Sequence, residues 1–404
     1  MCEFGYIHDM AQLKRRLGFW LLTAYGVGTT LGAGIYVLVG EVAAEAGYYT
    51  PLSFLLAGLL ALPSGLAFAE LSARYPKSAG EAVYLQAAFS KPLLAAGVGL
   101  LVAASGIISA ATLLNGFTGY LSAFIQIPDW IAILGAIACL SFLCILGIKE
   151  SVGFAAIITV IEIAALLLVS FLGADLIDTK DVPKIISSTP LQFIGLLTGG
   201  LIAFYAFIGF EDMVNVAEEV IDIKRNMPRA IIATLLITCS LYLIVGFVAV
   251  FSVGPDTLAA QSAPLAFIFS QASGWSDAPI SFIAIFAIIN GAVIQMVMAS
   301  RVLYGMANQG WLPSYFGQIL PKQATPMNAT LVVSVLILGL ALFVPLRQLA
   351  QATSTTILLI FIAINIALWR IKQLQPDYSG FQIPVWVLFC GAFGAFLLVI
   401  TNFF

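Results

Sequence analysis

One carboxyl group stands alone deep inside an apolar stretch: Glu162, in ITVIEIAALLLV. Ionisable groups are costly in hydrocarbon and mark ion or substrate paths. With no cation beside it in the sequence, this acid is placed to take up and release a proton. The alternative is a neutral acid hydrogen-bonded to a neighbouring helix and serving packing alone. Glu211 and Asp212, in GFEDMVN, come about 20 residues into another apolar run. Glu211 reads either as a second proton site or substrate contact, or as an acid at the water boundary; Asp212 reads as an interfacial acid. Asn290 and Gln295 are uncharged polar residues in a further run, able to bridge helices or to touch a substrate.

The backbone can do chemistry as well. The run YGVGTTLGAGIYVLVG carries Gly26, Gly28, Gly32 and Gly34 with Thr29 and Thr30 among them, and TGGLIAFYAFIGFEDMVN carries Gly199, Gly200 and Gly209. Such clusters either let helices pack closely, as the Gly28–Gly32 spacing permits, or interrupt a helix. An interruption exposes N–H and C=O groups that replace the water around a charged ligand near the bilayer midplane. The two clusters lie five spans apart, in corresponding positions of two five-helix halves, which is how an inverted repeat places its paired broken helices. Tyr205 and Phe210 flank the second cluster and are candidate side-chain contacts.

The elements that must carry these groups follow from composition. The chain has 404 residues, 61% hydrophobic and 9% charged, with a mean hydropathy of +1.05; soluble domains carry about 25% charged residues. Lipid must therefore solvate much of the surface, and helices are the only continuous apolar segments that satisfy their own backbone there. A rise of 1.5 Å per residue makes a span of roughly 20 residues. Eleven such runs are predicted, over 17–40, 52–71, 93–124, 130–147, 152–172, 191–217, 231–251, 280–306, 329–343, 349–370 and 383–400. The expected fold class is all-α integral membrane. With the N-terminus inside, all but three of the 17 basic residues fall on one face, leaving Lys180, Lys184 and Arg347 opposite; the positive-inside rule makes the first face cytoplasmic. Between spans, 263–269 is too short to cross and is expected as a cap, and 218–229 (EEVIDIKRNMPR) as a solvated connector. The N-terminal tail, 1–16, lacks a signal-peptide pattern, so the first run is expected to stay in the membrane.

Other chemistries have little material. The cysteines are scattered and read as small core residues; His8 is the single histidine. No cofactor is expected, and nothing points to nucleic acid.

These residues resemble the amino acid/polyamine/organocation transporter superfamily, and its cationic-amino-acid-transporter-like branches most. The likeness covers almost the whole chain: GTTLGAGIYVLVG resembles the family's glycine-bracketed motif, followed by FAELSARYPKSAGEAVYL, GIKES, AFIGFEDMVNVAEEV with KRNMPRAI, SRVLYGMANQGWLP and TPMNA. The resemblance implies a five-plus-five inverted-repeat fold with discontinuous first and sixth helices and alternating access. The repeats would be 17–172 and 191–370, with 383–400 as an extra helix, in the cell membrane. It also implies that N–H groups around Gly32, Ala33 and Gly34 receive a substrate carboxylate. Carbonyls near Thr30 and from Tyr205, Ala206, Phe207 and Ile208 would receive its ammonium group, with the substrate side chain toward Tyr205 and Phe210. Helix-end dipoles fit both assignments. Some proton-coupled relatives carry a lysine fifteen residues after the glycine of the GIKES-like motif. Here that position is Glu162, so the charge is reversed and coupling by a lysine does not transfer.

The resemblance leads to a transporter of amino acids, cationic amino acids or polyamines, coupled to protons or working by exchange. A channel would need a polar stripe that few spans show. A transporter-like sensor or accessory subunit would share the same binding site without turnover. An enzyme is least expected, because no nucleophile–base pair, phosphate loop or metal cluster is present.

Overall fold

A computed structural model describes residues 15, 17–31, 34–76, 80–146, 152–319 and 325–401. Among them the regular structure is helical: α1 (Phe19–Leu31), α2 (Gly34–Ala46), α3 (Thr50–Arg74), α4 (Gly80–Phe89), α5 (Pro92–Leu121), α6 (Asp129–Leu146), α7 (Val152–Ala174), α8 (Val182–Ser188), α9 (Phe193–Tyr205), α10 (Ile223–Val253), α11 (Pro255–Ala259), α12 (Pro264–Ser273), α13 (Ala278–Asn308), α14 (Met327–Phe343), α15 (Leu346–Leu374) and α16 (Val385–Ile400). Three 3-10 turns, Gly47–Tyr49, Phe210–Glu219 and Ser314–Gly317, join or extend them.

Among the described residues, seven helical stretches are long and apolar enough to cross a membrane, and 129–145, 327–343 and 385–400 are shorter apolar helices. One of the seven, Gly34–Arg74, has 41 residues. At 1.5 Å each these would reach about 60 Å, twice the hydrocarbon thickness, so this stretch holds parts of two crossings. Gly47, at φ +56°, turns α2 into α3. Counted this way, with α1 and α2 as the two pieces of the first span and α9 and Phe210–Glu219 as those of the sixth, the eleven predicted runs each find their helices. The chain is a multi-pass membrane protein. Trp20, Trp130, Trp275 and Trp386 stand exposed near helix starts, where indole rings suit the water–lipid boundary.

The packing explains which faces are buried. α3 lies along α10 and α5 along α13; α2 packs on α9, α1 on α7 and α10, and α15 on α5 and α9. α16 covers α15 and α3. Where α3 and α15 end together, Glu70 is fully buried. Its Oε1 accepts from Arg74 Nε at 2.9 Å and Nη2 at 2.6 Å and from Lys372 Nζ at 2.7 Å; its Oε2 accepts from the Ile383 N–H at 2.8 Å. The Arg74 guanidinium also lies 4.0 Å over the Tyr378 ring. This clamp ties α3 and α15 to the segment that leads into α16.

Two expectations need correction. The 218–229 stretch is only partly a solvated connector: α10 begins at Ile223, and Val220, Met227 and Pro228 are buried. Leu17 also exchanges backbone hydrogen bonds with this stretch, donating to Glu219 O at 3.0 Å and accepting from the Ile221 N–H at 2.9 Å. The charged side chains there mark an exposed edge of packed backbone. Nor are all the cysteines core residues. Cys144 is buried, but Cys139 and Cys390 are exposed on the outer faces of α6 and α16, where the weakly polar thiol is compatible with lipid. The 263–269 stretch falls in α12, which packs on α7 and α13.

Candidate functional site

The two interrupted spans meet at their interruptions. α1 stops at Leu31 and α2 starts at Gly34; Gly32 and Ala33, between them, lie outside the described residues. α9 stops at Tyr205, and a turn over Ala206–Gly209 leads into Phe210–Glu219. Gly209 has φ +124°, a conformation open to glycine, and a side chain there would collide with the carbonyl of Thr29. Gly34 also presses close: a Cβ would sit 2.8 Å from Ala206 Cα. The Thr29 hydroxyl lies 3.0 Å from Gly209 O and 3.0 Å from Gly26 O of its own helix, and shares its proton between them. The glycines thus serve both readings of the sequence, since Gly28 also lets α1 approach Thr159 of α7.

A broken helix leaves N–H and C=O groups without intrahelical partners, and in lipid each must be met from within the protein. At the sixth-span break, the carboxylate of buried Glu211 accepts the Gly209 N–H at 2.8 Å through Oε2, capping the second half-helix. Gly209 O also receives the Asp212 N–H at 3.1 Å, and Tyr205 O receives the Ile208 N–H at 3.1 Å. The Tyr242 hydroxyl of α10 reaches Ala206 O at 2.7 Å and Thr30 O at 2.9 Å, one carbonyl from each broken span, with Leu31 O at 3.5 Å. In the sequence Tyr242 is marked only by a hydroxyl in mid-span, which is obliged to find a partner.

The candidate residues divide between two cavities and a packed cluster. A cavity of about 680 Å³ is lined by Gly28 and Thr29 of α1, Glu81 of α4, Glu162 of α7, Asp212 and Asn290, and continues to Arg301, Gln309 and Trp311 at the end of α13. Glu162 is 2% exposed, and its Oε2 has no hydrogen-bond partner. The Tyr36 hydroxyl binds the main-chain oxygen of Glu162 at 3.3 Å, pinning its backbone to α2. A smaller cavity of about 20 Å³, room for a single water, touches Glu81, Ile208, Glu211, Asp212 and Gln295. The side chains of Tyr205 and Phe210 line neither. Tyr205 shares a hydrogen bond with the Ser109 hydroxyl at 2.9 Å and donates to Ser109 O at 3.0 Å. Phe210 packs against Phe68 and Phe361 with ring centroids 6.3 and 5.4 Å away, and Phe207 against Tyr242 at 5.1 Å. On the side away from the large cavity's Arg301 end, Glu45 of α2 and Arg347 of α15 form an ion pair of 2.7 Å. Among the described residues no cluster of His, Cys, Asp or Glu could hold a metal ion.

The amino acid permease family profile matches residues 17–404. The mitochondrial cationic amino acid transporter 3 of Arabidopsis thaliana is 33% identical, the alignment covering 91% of this chain and 64% of that protein. The vacuolar cationic amino acid transporter 4 of the same plant is 31% identical with the same coverage. The branched-chain amino acid permease BcaP of Bacillus subtilis (strain 168) is 26% identical over 92% of this chain and 84% of its own. The chain spans 64% of the length of each of the two plant proteins.

Proposed function

The chain belongs to the amino acid permease family, and from that premise we propose that it is a secondary active transporter, not an enzyme, carrying an amino acid or related amine by alternating access. The observation that carries this reading is the meeting of two broken spans beside a cavity: Thr29, in the last turn of α1 before the first interruption, reaches Gly209 of the second and also lines the 680 Å³ space. Half-helix ends supply N–H groups for a carboxylate and carbonyls for an ammonium group. In this reading Gly32, Ala33 and Gly34 face the carboxylate, and Thr30 with Tyr205, Ala206, Phe207 and Ile208 faces the amine. Glu162 exchanges the coupling proton, with Glu211 as a second candidate, and Asn290 and Gln295 contact substrate from α13.

The relatives' names support the substrate class, and cationic amino acids and polyamines are the first compounds to test. The repeat division into 17–172 and 191–370 draws support from the packing: α3 on α10, α5 on α13 and α2 on α9 join equivalent members, and α1 on α7 is mirrored by α9 on α15. The basic residues support a cytoplasmic N-terminus, and the cell membrane is the location that goes with this reading.

Uptake of single labelled amino acids and polyamines into proteoliposomes tests the function. Saturable uptake of at least one is the expected result. No uptake by correctly folded protein, with substrate preloaded inside or without, would contradict transport and favour a sensor or accessory subunit.

A further inference from the structure

The large cavity carries charge along its wall as well as at Glu162. Glu81, Val102, Asp212 and Met298 border both cavities and so form the partition between them. Helix packing sets their level. Gly106 of α5 faces Met298 of α13, and Gly99 faces Met306, so Val102, between the two glycines, lies against the turn of α13 that carries Arg301. Arg301 follows Met298 by three residues on the same helix face and also lines the large cavity. Two carboxyl groups and one guanidinium therefore border one level of this space, about 16 Å along α13 from Asn290.

These charges do not satisfy one another by contact, since among the described residues Glu81 and Arg301 take part in no ion pair. Nor is the space between them a dry gap. Glu162, 2% exposed, borders the same cavity and has an oxygen without a hydrogen-bond partner; a buried carboxyl so placed calls for polar content. Val98, Val297 and Val302 supply an apolar wall beside the charges.

We propose that this level of the cavity is a second amino-acid site, separate from the helix breaks: Arg301 takes the α-carboxylate, Glu81 with Asp212 takes ammonium groups, and the aliphatic part of the side chain lies on the valines. A guanidinium meets a carboxylate with two parallel N–H bonds, and an ammonium group brings three donors to carboxylate acceptors. With both acids ionised the three side chains sum to one negative charge. L-Lysine, with net charge +1 and a carboxylate, completes that set, whereas L-leucine leaves one charge over and a diamine leaves Arg301 unmet. The basic residues put this end of the cavity toward the cytoplasm, so the site lies between the breaks and the cytoplasmic water. This rests on the transport reading above and adds to it a site that Glu81 and Arg301 define.

Equilibrium binding of labelled L-lysine to the purified full chain in detergent reads the site by its stoichiometry. Two molecules per chain are expected, one of them weakly held. Arg301→Gln is expected to weaken that one about tenfold, the scale of one charge-assisted hydrogen bond. Cadaverine, which has no carboxylate, competes for the site in this variant at least as well as before. Glu81→Gln weakens both compounds, and Lys91→Gln, which removes an exposed cation at the start of α5 outside the cavity, weakens neither. One molecule per chain or none in the unaltered protein, unchanged weak binding in folded Arg301→Gln, or equal losses of lysine and cadaverine there, overturns the proposal. Arg301 is exposed, so its variant gives the answer if Glu81→Gln does not fold. Uptake into proteoliposomes separates the two possible failures. Uptake with a single bound lysine removes the second site alone, and absence of uptake of any compound defeats the transport reading and this proposal with it.

Discussion

Glu70 and Glu162 are the same residue, equally hidden at 0% and 2% exposure, and their surroundings differ completely. Glu70 accepts four hydrogen bonds from Arg74, Lys372 and the Ile383 N–H, whereas Oε2 of Glu162 has none and borders a cavity. A buried charge with ideal partners fixes structure, and removing it strands the partners. A buried polar atom without a partner weakens the fold and persists where function keeps it. Glu211 stands between the two, with the Gly209 N–H on its Oε2. The three acids therefore grade from clamp through cap to an open site.

Substitutions test this grading. Glu70→Ala leaves Arg74 and Lys372 without their counter-charge, and a loss of about 3–5 kcal/mol is expected, read as a large fall in thermal unfolding temperature in detergent. Glu211→Ala leaves the Gly209 N–H unmet at a helix break and is expected to cost about 1–3 kcal/mol; equal losses for these two variants would erase the distinction between clamp and cap. Arg347→Ala removes an ion pair whose arginine is 46% exposed, so a change within about 1 kcal/mol is expected. A fall as large as that of Glu70→Ala would mean that pairing, and not burial, sets the effect.

The spans were legible because apolar length alone identifies a bilayer crossing, and charged gaps mark their ends. The broken helices were legible through Gly34 and Gly209. What escaped the sequence depends on distant partners. Tyr242 lies in SLYLIVG, where nothing local separates it from a lipid-facing residue, and its acceptors are 36 and 212 positions away. Glu70, in FAELSARYP, meets Lys372 and Ile383 across 302 and 313 positions. The start of α10 was hidden by the charges of IDIKRNMPR, which signal exposure but not whether the backbone beneath is helical. Tyr205 and Phe210 were expected to face substrate because they flank the break, yet their side chains turn into packing against α5, Phe68 and Phe361.

The central claim is that the carboxyl of Glu162 exchanges a proton during transport, and uptake by Glu162→Gln protein in proteoliposomes under an imposed proton gradient tests it most directly. The glutamine matches the acid in size and cannot titrate, so the protein is expected to fold and bind as before while uptake loses its response to pH and to the gradient. Gradient-driven uptake with an unchanged pH profile in the folded variant would contradict the claim.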